Sequence, residues 1–121
     1  MKIKIQNWIL VFAWAGFIFF LSHQPDLKSD LPQTAEFLFG KIAHFLEYII
    51  LTFLLIRVLK NYNISKKKIL FLAIILSVLY AFSDEYHQSF ISGREPSLND
   101  ITIDTLGVLL TAWLNKGKMI K

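Results

Sequence analysis

Four apolar runs constrain this chain more than any motif in it, because each approaches the length that crosses a hydrocarbon core about 30 Å thick at roughly 1.5 Å of helix rise per residue. They are Ile5–Leu21, Ile42–Leu59, a third that begins at Ile69 and turns polar from Ser83, and Ile101–Leu114. The last is short and reaches a spanning length only when its helix begins near Ser97. A hydrophobic content of 55% and a mean hydropathy of +0.49 lie above the usual range of a soluble fold, so a membrane is the expected solvent. The fold class expected is all-α: a four-transmembrane-helix bundle forming one membrane domain over residues 1–121, with helices at about 5–21, 42–59, 69–89 and 98–115.

Lys2 and Lys4 give the first run the basic start of a secretory signal. Its apolar core exceeds the roughly 7–15 residues of a signal, and "SHQPD" follows where a small-x-small cleavage site belongs, so it reads as a retained span. Leu31–Gly40 reads as a short interfacial helix in the first outer loop, opened by Pro32 and stopped by Gly40.

Charge supplies the topology. With the amino terminus, the Lys60–Lys68 loop and the carboxyl terminus on one side, that side holds Lys2, Lys4, Arg57, Lys60, Lys66, Lys67, Lys68, Lys116, Lys118 and Lys121, ten of thirteen basic residues. The other side holds only Lys28, Lys41 and Arg94. Basic residues are retained in the cytoplasm during insertion, which puts both termini there and leaves two outer loops, Ser22–Lys41 and about Phe90–Ser97. The net charge of +4 therefore reflects topology; the lysines are not interleaved with stacking aromatics, and no nucleic-acid partner is expected. The absence of cysteine excludes disulfides, Cys-ligated zinc and thiol chemistry.

All nine acids, Asp26, Asp30, Glu36, Glu47, Asp84, Glu85, Glu95, Asp100 and Asp104, fall in an outer loop or the outer half of a helix, as do His23, His44 and His87. Insertion rules constrain acids little, so this segregation points to an outward-facing site. On the second helix His44 and Glu47 share a face at i, i+3, reading either as a buried acid/base pair or as interhelical hydrogen-bond glue. The third helix ends in Asp84, Glu85, His87 and Gln88; Asp84, His87 and Gln88 share a face and Glu85 turns about 100° away. Two carboxylates at a helix C-terminus oppose the macrodipole unless something positive compensates, and Arg94, His87 or a bound cation are the options; the alternative is a solvated helix end.

Arg94, after the Gly93 turn, suits bidentate recognition of carboxylate or phosphate, or else neutralises a neighbouring acid. Ser97 and Asp100 have capping-box spacing, which makes Ser97 structural. Asp104, Gly107 and Thr111 form a small, polar stripe down the fourth helix, with Gly107 allowing close packing and Asp104 too costly to face lipid. Ser22, His23 and Gln24 at the outer end of the first helix complete the ring. His44-x-x-Glu47 and Glu85-x-His87 bring a divalent metal into consideration, but neither is a metal signature, and no cofactor is expected. There is no G-x-S-x-G, P-loop or dinucleotide fingerprint.

"SDEYHQSFISGREPSLNDITIDTLG" resembles the hallmark segment of the VanZ-like family of small bacterial membrane proteins, with Asp84, Glu85, Gln88, Phe90, Gly93, Arg94, Ser97, Asp100 and Gly107 on motif positions. "LSHQP" resembles the family's turn after the first helix, and "KIAHFLEYIIL" its K-x-x-H-F-x-E-Y motif at Lys41, His44, Phe45, Glu47 and Tyr48. Two positions depart from the pattern: Asp104 stands where asparagine is common, and Thr111 where a second small residue is. The family is named for a protein linked to teicoplanin resistance, and the resemblance implies a bacterial plasma-membrane location and a cell-envelope role.

The expected function is recognition or modification of an envelope component at the outer leaflet: a lipid-linked precursor, a lipid head group or a lipophilic glycopeptide. In an enzymatic form Glu47 or Asp84 acts as general base, His44 or His87 as proton partner, and Arg94 as stabiliser of an anion; Ser22, His23, Gln24, Glu85, Gln88, Asp100 and Asp104 line the pocket. The alternatives are a binding or accessory membrane protein without turnover, and a proton- or ion-coupled transporter with Glu47 and Asp104 as relay carboxylates, for which so few helices require oligomerisation.

Overall fold

The computed structural model describes residues 2–23, 33–90 and 98–119. They form four helices, α1 Lys2–His23, α2 Gln33–Leu59, α3 Lys66–Gln88 and α4 Leu98–Met119, and no strand occurs among the described residues. Three of the helices are long and apolar enough to cross a membrane: α1, α2 and α3. At 22 residues α4 matches α1 in length, but Asp100, Asp104 and Asn115 interrupt its apolar run.

Helix α2 corrects the sequence reading. It continues unbroken through Gly40, so Gly40 does not stop a separate interfacial helix. A glycine inside a helix costs only about 1 kcal/mol relative to alanine, too little to break a 27-residue helix whose neighbouring residues all favour continuation. Helix α3 begins three residues before its apolar run, taking in the lysines: the Ser65 hydroxyl caps it by accepting from the Lys68 amide at 3.2 Å.

The loop joining α2 to α3 is tied to the start of α1. The Trp8 indole donates to the Tyr62 hydroxyl at 2.8 Å, and the Lys4 ammonium lies 4.5 Å from the centroid of the Tyr62 ring. Lys2, Lys4, Lys60 and Lys66–Lys68 therefore share one end of the bundle. The other end is formed by the start of α4, the first half of α2 and the ends of α1 and α3.

Helix α4 packs mainly on α2 and α3, and α1 lies along α2 and α3. Helices α2 and α4 approach closely at Gly107: a Cβ added there would meet the Phe45 carbonyl oxygen at 2.8 Å, so α4 lies against the α2 backbone with no room for a side chain between them. The apolar core gathers around Ile18, Tyr48, Ile56, Val58 and Val108. Outside it the surface is oil: Phe12, Phe71, Leu79, Phe82, Leu106 and Trp113 are all at least half exposed. Such a surface is costly in water and inexpensive in lipid.

Candidate functional site

Polar side chains line one stripe of each of three helices, and the stripes face one another. Along α2, Lys41, His44, Tyr48 and Thr52 recur at spacings of three and four, which a helix brings onto one face. On α3 the stripe is Ser77, Asp84 and Gln88, and on α4 it is Asp100, Asp104, Thr111 and Asn115; all seven are buried. Burial of so many polar groups inside an apolar shell costs free energy unless they meet each other.

They do meet, in layers. Nearest the loop end, the Lys41 ammonium of α2 is ion-paired to the Asp100 carboxylate of α4. One turn deeper, His44 Nδ1 stands 3.2 Å from Asp104 Oδ1 and 3.9 Å from Glu47 Oε2. Although that first distance is an ion-pair contact, both His44 Nδ1 and Asp104 Oδ1 are shut off from solvent without an aligned hydrogen bond. Deeper again, the Tyr48 hydroxyl donates to Asp84 Oδ2 at 3.5 Å, joining α2 to α3. At the bottom, Thr52 and Ser77 share a hydrogen bond of 3.0 Å, and the Thr52 hydroxyl approaches the Tyr48 carbonyl oxygen at 2.7 Å.

Helix α1 braces the seam without contributing a described ionisable group to it. Trp14 donates to the Glu47 carbonyl at 2.9 Å, the Tyr80 hydroxyl donates to the Ala15 carbonyl, and the Phe19 ring stacks on His87 at 4.1 Å between centroids.

His44, Glu47, Asp84, Asp100 and Asp104 are thus brought together. Asp84, Glu85 and Gln88 are 3%, 8% and 2% exposed, so the end of α3 is not a solvated helix terminus. Glu85 is buried despite its turn away from Asp84, since that end of the helix is covered on more than one face. His87 lies against α1. Ser22 and His23 belong to the last turn of α1, where side chains are not described, and Gln24, Gly93, Arg94 and Ser97 lie outside the described residues.

Sequence reasoning overlooked Lys41, Tyr48, Thr52, Ser77 and Asn115 as parts of the site. Tyr48 is fully buried with its hydroxyl on a carboxylate, and the available signal was its position four residues after His44 and four before Thr52. A histidine held between two carboxylates can keep or pass a proton, and tyrosine beside a carboxylate can orient it. Among the described residues, no three His, Asp or Glu side chains are grouped to hold a metal ion.

Neither the curated proteins nor the solved structures contain a match to this sequence. The family comparison does: residues 7–119 match VanZ/LLP1, from the first turns of α1 to the end of α4. That match takes in all four helices and every layer of the polar seam, and the chain belongs to the VanZ/LLP1 family.

Proposed function

We propose that this protein spans the bacterial plasma membrane four times as one domain, with both termini cytoplasmic, and that its acid-rich end faces outward to recognise or modify a cell-envelope component. The ligand class is a lipid-linked precursor, a lipid head group or a lipophilic glycopeptide. Helix α4 fits a fourth span because Asp100, Asp104, Thr111 and Asn115 are buried, while Leu106, Leu109, Leu110, Trp113 and Leu114 cover its outer side. Its moderate hydropathy is that of a helix packed against polar partners inside a bundle.

The observation that carries the functional reading is the His44, Glu47 and Asp104 group, set beside Asp84 and Tyr48 in an otherwise apolar bundle. Ion pairs buried for stability alone are commonly no better than apolar packing of equal volume. Ionisable groups at this depth therefore favour a chemical role. In a catalytic form Glu47 is the general base, His44 the proton partner held in place by Asp104, and Arg94 the contact for an anionic group. In a binding form the same side chains hold the ligand without turnover. The buried Thr52–Ser77 pair carries the polar seam inward and favours a relay of protons as the second reading.

Co-purification tests the proposal. Wild type and Glu47→Gln, extracted in mild detergent, are compared by mass spectrometry with the whole-membrane extract. We expect one envelope component enriched above its membrane share in the wild type. A difference in its mass between the two preparations marks turnover, and an unchanged component retained by both marks binding alone. Recovery of only bulk lipids, in bulk proportions, from both preparations would overturn the reading.

A further inference from the structure

Insertion accounts for a bias of basic residues toward one end of the bundle, but it supplies nothing to meet their charge in the finished protein. None of the nine acids falls in the segments that form this end. The fold gathers lysines there from four places: Lys4 near the start of α1, Lys60 just after α2, Lys67 and Lys68 in the first turn of α3, and Lys116 near the end of α4. Lys60, Lys67, Lys68 and Lys116 are exposed, and Lys4 rests on the Tyr62 ring. The first turn of α3 holds no acid, so its lysines stand at the positive end of the helix dipole, where further positive charge is disfavoured unless an anion lies close.

What adjoins the lysines decides the kind of anion that fits. One turn along α3 from Lys67 and Lys68 comes Phe71, 63% exposed, and one turn back along α4 from Lys116 stands Trp113, 69% exposed. Exposed apolar side chains continue from both rings toward the middle of the bundle: Ile75 and Leu79 on α3, Leu109 and Leu110 on α4. A hollow of about 410 Å³ lies among Trp113, Leu114, Lys116 and Gly117, with the ammonium to one side and the indole to the other. A soluble acidic protein or a nucleic acid would meet the lysines and leave the rings and leucines in water. An anionic phospholipid presents a phosphate and then acyl chains, in the order in which these residues run. We propose that the lysine-rich end binds the head groups of anionic phospholipids in the leaflet around it. Lys67, Lys68 and Lys116 are the phosphate contacts, and Phe71 and Trp113 lie against the acyl chains. This surface is separate from the polar seam and does not depend on what the acid-rich end takes.

The test places the full chain in phosphatidylcholine vesicles and reads, by electron spin resonance, how much spin-labelled phosphatidylglycerol or spin-labelled phosphatidylcholine is held against the protein. Phosphatidylglycerol should associate about fivefold more strongly, as a lysine near the membrane surface allows. The preference should drop below about twofold in about 1 M salt, where exposed charges are screened within roughly 3 Å. It should drop as far in Lys67→Gln/Lys68→Gln/Lys116→Gln, while Lys28→Gln, in the first loop, keeps it. Should the triple variant not fold, the salt comparison on the wild type decides. Equal association of the two lipids, a preference that survives high salt or the triple variant, or an equal loss in Lys28→Gln would each overturn the proposal. Displacement of phosphatidylglycerol by soluble polyglutamate of matched charge would point to an acidic protein as the partner and overturn it as well.

Discussion

At the lysine-rich end Lys60, Lys66, Lys67, Lys68 and Lys116 are exposed, whereas at the opposite end Asp84, Glu85, Gln88, Asp100 and Asp104 are buried. Both ends are polar, yet among the described residues the buried charged side chains, Asp84, Glu85, Asp100 and Asp104, all lie at one of them. The lysines have a sufficient explanation in insertion, since a positive charge fixes orientation wherever it sits on a short loop and needs no partner. The acids have none, because a buried carboxylate requires donors or counter-charges placed by several helices at once. In the proposed orientation, the contrast separates charge that would direct topology from charge that is gathered inside the bundle.

Substitutions that distinguish the two ends should therefore differ in cost. The largest effect is expected for Gly107→Val. Its Cβ would fall 2.8 Å from a backbone oxygen of α2 that cannot swing aside, and the loss should be about 3 kcal/mol or a failure to fold. Gly117→Ala, on the same helix near the lysine-rich end, meets nothing within 4 Å and should stabilise by about 0.5 kcal/mol. Denaturant unfolding in detergent compares the two, and equal losses would remove the special status of the α2–α4 contact.

Next comes His44→Leu, which leaves Asp104 without the imidazole that faces it. The cost should be about 2 kcal/mol, less than for a fully enclosed pair because the His44 side chain keeps 14% exposure. The double variant His44→Leu/Asp104→Leu should regain most of that loss. Strict additivity of the two single changes in a double-mutant cycle would show that the pair is not coupled.

Tyr48→Phe should cost about 1 kcal/mol at most, since its bond to Asp84 is long at 3.5 Å. A loss of several kcal/mol would mean that the hydroxyl holds far more of the seam than Asp84. The smallest effect belongs to the lysine-rich end. Tyr62→Leu removes the hydrogen bond from Trp8 and the ring under Lys4, but at 39% exposure it should cost only about 0.5 kcal/mol in the same unfolding assay.

Much of this organisation was legible in the chain because it follows from one-dimensional periodicity. Apolar runs marked where the helices lie, and the i, i+3 step from His44 to Glu47 marked a face that does meet Asp104. What escaped the reading depends on three dimensions. Tyr48, Thr52 and Ser77 blend into apolar runs, and only the approach of α3 to α2 turns them into a polar layer. Gly40 looks like a stop, yet the helix runs through it from Gln33 to Leu59. Asn115 extends the α4 stripe beyond Thr111, whose residues are spaced so that burial of one implies burial of the others. Asp104, read from the sequence as a departure from the pattern that the chain resembles, is the carboxylate facing His44.

The orientation of the bundle decides whether the buried acids can meet an envelope ligand at all. The chain contains no cysteine, so Asp30→Cys and Asn63→Cys each provide a single reporter, one in the first loop and one in the exposed loop between α2 and α3. In intact cells a membrane-impermeant maleimide should label Asp30→Cys and reach Asn63→Cys only after permeabilisation. Labelling of Asn63→Cys in intact cells, with Asp30→Cys protected, would place the acid-rich end in the cytoplasm and contradict the account.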